Sequence, residues 1–376
     1  MQISPTQATG SNVWSRPLVW VPLMGLFVWV VCLLCSGQAP AREGLSSEKK
    51  SRGQTSRPTQ SPKTLSKATG QKVRMKGMTI SCFGWGAAWA TPLMRKAMVD
   101  VKRLGGNWIS YHPYASIRDD GSLSFSTSTK QPTVLTPMRY AKQLGMKILL
   151  KPHIGYWRSN FSWRGSISFQ KESNWKRFFR DYKQWIVVQA KMAAKGKADL
   201  FSVGIEYQKT LHRKQDWLEI IRAVRKVYSG KLTYSANWDA YHKVPFWDKL
   251  DYIGIQAYFP LTKKTPTTKR LRSAWDGILQ KLQRFSKKHK KPIILTELGY
   301  NRAAHTAARP WDHKEGGQGA DSIKLRCVDV ALSKLRKAPY IHGVFLWKWF
   351  PTLWDISSNY TLQYPAMKKV LKRAWK

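Results

Sequence analysis

Strand-like runs alternating with amphipathic runs constrain this chain more than any other feature. They begin at Gly77-Met78-Thr79-Ile80-Ser81 and end at Gly343-Val344-Phe345-Leu346-Trp347. Residues 107–111, 147–151, 200–206, 232–237, 250–258 and 292–300 lie between. They are apolar and β-branched stretches of the kind buried on both faces of a parallel sheet. Helical periods are expected over 92–104, 137–144, 172–194, 215–228, 269–290 and 321–337, with Pro92 suited to a first turn and Gly105-Gly106 closing the first helix. Eight strands, each followed or separated by a helix, over about 275 residues match the size and order of an α/β (β/α)8 TIM barrel. An open doubly wound sheet is the alternative. Its usual signature, a glycine-rich phosphate loop after the first strand, is not in the sequence.

Two of the runs end in a carboxylate: Val203-Gly204-Ile205-Glu206 on the fourth and Leu295-Thr296-Glu297-Leu298-Gly299 on the seventh. The carboxyl ends of barrel strands form the face where chemistry occurs. Alternation along a strand places Ser202, Gly204 and Glu206 on one face; lining the barrel, that face brings Glu206 into the same cup as Glu297. A lone strand-end Glu is as readily the ion-pair partner of a Lys or Arg. Two at one surface meet the need of glycoside hydrolysis, in which one carboxylate stays ionised and the other is kept protonated as an acid.

With these residues the chain resembles the retaining barrel glycosidases of clan A, most closely the family 113 β-mannanases. The resemblance runs from about Val73 to Phe350. It is carried by Lys76-Gly77-Met78, Gly106-Asn107-Trp108-Ile109, Tyr111-His112-Pro113-Tyr114, Lys151-Pro152-His153-Ile154, Val203-Gly204-Ile205-Glu206, Gly254-Ile255-Gln256-Ala257-Tyr258, Leu295-Thr296-Glu297-Leu298-Gly299-Tyr300 and Phe345-Leu346-Trp347. It implies that Glu206 is the general acid/base, Glu297 the nucleophile, and Tyr258 a hydrogen-bond partner of that nucleophile. One departure is plain: many clan members carry Asn directly before the acid/base, and this chain has Ile205. The Asn contact to the sugar 2-hydroxyl is then absent or supplied elsewhere, with Asn237 the candidate.

The chain has 19 Trp. Sugar rings pack their C–H faces on aromatic faces, and indole N–H groups bond hydroxyls. Trp85, Trp157, Trp238 and Trp347 follow or end strands on the catalytic side and are candidate substrate-binding residues; the resemblance points to Trp347 as the floor of the cleaved-sugar subsite. Trp175, Trp185, Trp217 and Trp275 fall at helical spacing and are expected in the core. His153 is either a ligand for a sugar hydroxyl or a structural donor, and of Tyr111 and His112 only one can face inward. No His/Cys/Asp cluster has metal-ligand spacing, so neither metal nor cofactor is expected.

Residues 18–34 are almost wholly apolar, follow Arg16 and precede Ser36-Gly37-Gln38, the pattern of an export segment. Ala39-Pro40-Ala41 offers a cleavage site, while the length of the apolar core also suits an uncleaved membrane anchor. Residues 1–41 are therefore read as signal peptide or anchor and the barrel as an exported domain, 73–376. Residues 42–72, rich in Ser, Thr, Lys, Gln and Pro, are read as a disordered basic linker. Cys82 and Cys327 are left in the barrel region, as a single bridge or as two thiols.

Lys and Arg number 65 against 21 Asp and Glu, a formal charge of +44. Such a charge first suggests nucleic acid, but the basic residues are spread over nearly every helix and no nucleic-acid-binding motif accompanies them. Solvated helix faces, or attraction to an acidic envelope or glycan, fit that spread. The expected function is an exported retaining glycosidase acting on β-1,4-mannan or a related β-glycan. The alternative, kept open by Ile205, is a weakly active or inactive carbohydrate-binding barrel tethered to the envelope.

Overall fold

A computed structural model describes residues 74–312, 314–352 and 359–376. The export segment (1–41) and the linker (42–72) lie outside the described residues. Eight parallel strands close into a barrel: β1 (Met75–Ile80), β2 (Trp108–Tyr111), β5 (Lys147–Leu150), β7 (Leu200–Ile205), β8 (Lys231–Asn237), β9 (Tyr252–Gln256), β10 (Ile293–Leu298) and β11 (Ile341–Trp349), in that order around the ring. The (β/α)8 expectation holds. Around them lie α1 (Pro92–Arg103), α2 (Pro132–Gln143), α3 (Glu172–Lys195), α4 (Lys214–Arg225), α5 (Thr268–His289), α6 (Ala320–Leu335) and α7 (Pro365–Trp375).

Each helix docks through a stripe set by its period. In α1 the buried residues are Met94, Ala97, Met98 and Val101, and in α4 Trp217, Ile220, Ile221 and Val224, in both cases one face of a 3.6-residue repeat. Inside the barrel, Met75, Trp108, Leu149, Leu200, Ile294 and Phe345 form a packed floor, so the interior is filled and not a pore. Gly77 belongs to that packing: a Cβ there would lie 2.3 Å from the Phe345 ring. Trp185, Trp217 and Trp275 are fully buried, and Trp175 nearly so, as their spacing suggests.

Four features differ from the sequence reading. The helix expected from 137 begins at Pro132, which occupies its first turn and leaves Pro137 inside. Between β8 and β9 there is no α-helix; single 3₁₀ turns at Tyr241–Lys243 and Trp247–Lys249 bridge a segment interrupted by Pro245. Helix α7 follows β11 and buries Met367, Val370, Leu371 and Trp375. A small second sheet sits in the loops after β2 and β5, where β3 (Tyr114–Ile117) pairs antiparallel with β4 (Leu123–Ser124) and parallel with β6 (His153–Gly155). Pro113 and Pro152, which lack an N–H, separate β2 from β3 and β5 from β6.

The strand alternation assumed for Glu206 is corrected. The pairing of β7 with β8 slips between Ser202 and Ile205, and Ser202 Oγ donates to the Gly204 carbonyl at 2.8 Å. Gly204 consequently turns outward, where a Cβ would come within 2.7 Å of Trp217 and Tyr234, and does not share the face of Ser202 and Glu206. A slip also separates Leu295 from Glu297 in the pairing of β10 with β9. Ile294 lies in the barrel floor, so strict alternation would aim Glu297 at the helices; the slip turns it inward.

Candidate active site

Both carboxylates therefore reach the mouth by local irregularity. Glu206 follows β7 with φ of 57°, a left-handed conformation uncommon outside glycine, and its N–H donates to the Ser235 carbonyl at 2.9 Å. Glu297 is 4% exposed. The two line one cleft of about 590 Å³ with Tyr114, His153, Tyr156, Trp163, Arg164, Asn237, Trp238, Asp239, Tyr258, Trp311, Trp347 and Tyr360.

Their surroundings differ. The Tyr258 hydroxyl donates to Glu297 Oε2 at 2.7 Å, and the fully buried Lys151 ammonium donates to Oε1. Lys151 also donates to the Thr296 carbonyl at 3.2 Å and stands 5.3 Å from the Trp347 ring. Burial pulls the Lys151 pKa down, opposed by the charge of Glu297 beside it. The Tyr258 hydroxyl is held well above its usual range by burial and by the same carboxylate, so it remains a donor. Arg164 stands 3.4 Å from Glu206. Burial raises the Glu206 pKa, the charge of Glu297 adds to that rise, and Arg164, Gln256 and Lys151 oppose it.

At the base of the cleft, His112 and His153 stack with ring centroids 4.6 Å apart, and His153 stacks on Trp347 at 6.4 Å and 12°. Of Tyr111 and His112, it is His112 that joins this stack; the Tyr111 hydroxyl donates to the Val134 carbonyl of α2 at 2.5 Å. Both histidine pKa values are lowered well below the usual range. The cause is burial first, then the charges of Lys151 on His112 and of Arg164 on His153. The rings are neutral. Neither ring nitrogen of His153 has a hydrogen-bond partner among the described residues, and both are buried beneath the surface of the cleft.

Of the residues singled out from the sequence, Glu206, Glu297, His153, Asn237, Trp238, Tyr258 and Trp347 line this cleft. Asn237 donates to Asp239 at 2.9 Å. Ile205 is fully buried and packs with the helix-side core. Trp85 and Trp157 are not in the lining; they stand at the rim, each 54% exposed. The sequence reading did not single out Lys151, Arg164, Tyr114, Trp311 or Tyr360. For Lys151 a signal existed: a cation ending the apolar run Ile148-Leu149-Leu150 on the catalytic side. Arg164 lies in a one-turn 3₁₀ segment, Arg164–Ser166, with no periodicity to mark it. Among the described residues no cluster of three or more His, Cys, Asp or Glu is placed to hold a metal ion. Cys327 is buried in α6, is not bridged to Cys82, and has its thiol pushed up to about 12 by burial.

The family model for Glycoside Hydrolase Family 113 matches residues 78–364. Among solved structures, the family 113 β-mannanase of Alicyclobacillus acidocaldarius, in complex with ManMIm, superposes with a TM-score of 0.70. The two are 25% identical, over 80% of this chain and 96% of that one. A second family 113 β-1,4-mannanase gives 0.70 at 23% identity, over 80% and 98% of the respective chains. The β-glucuronidase of Ruminococcus gnavus gives 0.55 at 12% identity, over 81% of this chain and 51% of its own. The last two likenesses speak to the fold alone. No curated protein sequence matches the chain.

Proposed function

The chain belongs to glycoside hydrolase family 113, and from that premise we propose that it cleaves β-1,4-linked mannan within the polymer, by double displacement and with retention of configuration. The observation that carries the mechanism is the unlike setting of two carboxylates in one cleft. Glu297 accepts from Tyr258 and Lys151, donors that satisfy an ionised carboxylate, and is the nucleophile that attacks the anomeric carbon. Glu206, whose pKa is raised chiefly by burial, is the acid that protonates the departing oxygen. In the second step Glu206 takes a proton from water as that water displaces Glu297. Trp347 lies beneath the sugar and offers a ring face to its C–H groups, with His153 stacked on it from within the fold. The mannanase named above supports the choice of polymer.

Proton NMR of a mannooligosaccharide digest tests this proposal. The first anomer to accumulate is expected to be β, with the α signal growing only by mutarotation. An α product appearing first would show inversion and remove Glu297 from its role. A paired digest of glucan oligosaccharides tests the sugar. Because the acid must carry its proton, kcat/KM is expected to fall as pH rises through the elevated Glu206 pKa.

Export is the companion proposal, resting on the apolar run at 18–34 and the Ala39-Pro40-Ala41 motif. Cell fractionation of the full chain beside one lacking residues 1–41 checks it. The full chain is expected outside the cytoplasm and the shortened chain within it; equal distribution refutes the assignment.

A further inference from the structure

The exposed large apolar side chains among the described residues are Phe83, Trp85, Leu93, Trp157 and Trp311. Exposure of single apolar residues is ordinary, but a cluster calls for a cause. Leu93 sits on α1; the four aromatic residues lie beyond the carboxyl ends of barrel strands, Trp85 in the 3₁₀ segment Gly84–Ala90 and the others on loops, around the mouth that holds Glu206 and Glu297. Trp85 and Trp157 meet edge to face, with centroids 5.2 Å apart and planes at 76°, forming a corner open to solvent. Tyr114, which lines the cleft, packs against Trp157 at 5.3 Å and Trp85 at 6.5 Å, so aromatic surface runs without a break from the cavity to that corner.

The backbone is shaped to present both indoles. Gly84, Trp85 and Gly86 have φ of 64°, 59° and 91°, three successive left-handed residues with a tryptophan between two glycines. A bulky side chain is held in that region only where the surroundings enforce it. Gly155 gives Trp157 its position: a Cβ there would fall 2.2 Å from the indole, which folds back over the bare backbone. Across the ring of strands, Trp238 after β8 stacks on Trp311 after β10 at 5.4 Å and 19°. The order of the barrel sets the loops of its first three strands opposite those of its fifth to seventh.

We propose that Trp85 and Trp157 form a glycan-binding platform outside the catalytic cavity, holding pyranose units of a β-linked polymer whose chain crosses the cleft toward Trp238 and Trp311. A β-linked mannose or glucose unit carries its axial hydrogens on C1, C3 and C5 on one ring face, a flat apolar surface that lies on one indole while the other walls its edge. The platform supplies affinity for long chains and touches none of the reacting atoms. It rests on the glycosidase reading for the identity of the polymer, not for the binding itself.

The test uses the full chain, Trp85→Ala, Trp157→Ala and the double variant. On soluble mannan each single variant is expected to raise KM by about 3- to 10-fold, the worth of one aromatic contact, with kcat unchanged. On an aryl β-mannobioside, too short to reach the rim, all variants should stay within about twofold of the parent, since no contact is lost. Equal losses on both substrates, or none on mannan, overturn the platform. Native gels containing mannan, mixed-linkage glucan or arabinogalactan measure binding without cleavage. The parent should be retarded by one of these polymers and the double variant should not. Retardation by glucan alone, with no mannan cleavage, would sink the mannan assignment and leave the platform standing. Mannan cleavage by an unaffected double variant would do the reverse, and a parent retarded by none of the three rejects the platform.

Discussion

Glu297→Ala is expected to lower kcat by about ten-thousand-fold or more, the scale seen when a covalent nucleophile is removed. The carboxylate lies in the cleft, oriented by Tyr258 and Lys151, and among the described residues no other carboxylate shares those two donors. The chemistry can be read beyond simple loss. With the side chain gone, azide fits the space and attacks the anomeric carbon from the same side. With an activated β-mannoside as substrate, Glu297→Ala plus azide should give the α-mannosyl azide. Glu206→Ala plus azide should give the β-azide, since there azide replaces water in the second step. Swapped products would exchange the two roles, and parental activity in Glu297→Ala would end the proposal. Because removing Glu297 leaves Lys151 buried without its counter-charge, Glu297→Gln serves as the companion variant, keeping shape and an acceptor oxygen.

The second large effect is expected at Lys151. Lys151→Met keeps the length and apolar stem of the side chain and removes the ammonium. Lys151 is fully buried and Glu297 is 4% exposed, so the loss strands a carboxylate away from water. Breaking a buried pair from one side typically costs about 3–5 kcal/mol. A melting temperature lower by roughly 5 °C or more is expected for a domain of this size. Activity should fall by about a hundredfold, because the nucleophile loses one of its two orienting donors. A pH profile separates positioning from mere destabilisation. The Lys151 charge lowers the Glu206 pKa, so its removal lets that pKa rise and moves the alkaline limb of kcat/KM to higher pH. Lys151→Arg should not rescue, since a branched guanidinium does not fit a site packed to zero exposure. An unchanged melting point and an unchanged profile in Lys151→Met would show that the cation does not hold Glu297.

Much of this was legible in the sequence because burial on both faces leaves continuous apolar runs, and eight such runs allow few architectures. Glu206 and Glu297 stood out as carboxylates where Val, Ile and Leu prevail. What stayed hidden has physical reasons. The slips before Glu206 and Glu297 depend on the pairing of neighbouring strands, which no single segment records. Lys151 resembles any strand-end lysine until the far side of the barrel is known to bring Glu297 to it. Arg164 comes from a short loop turn, and β3, β4 and β6 are too short for a period to show. The positions of Trp85 and Trp157 after strands mark them for the catalytic side, but whether such a residue bends into the cleft or stops at the rim is decided by φ angles such as those of Gly84 and Gly86.

The offsets in β7 and β10 have a consequence for how activity could be gained or lost. The packed floor and the helix stripes are indifferent to which way residues 206 and 297 point, and the buried Lys151–Glu297 pair ties stability to the aim of one acid. Each acid owes its aim to a local frame shift of the backbone, and undoing one would restore ideal sheet geometry while rotating that acid toward the wall of helices. A sound scaffold and a working enzyme are separated in this chain by two such irregularities, so a search for sturdier versions that regularises the strands would select against turnover.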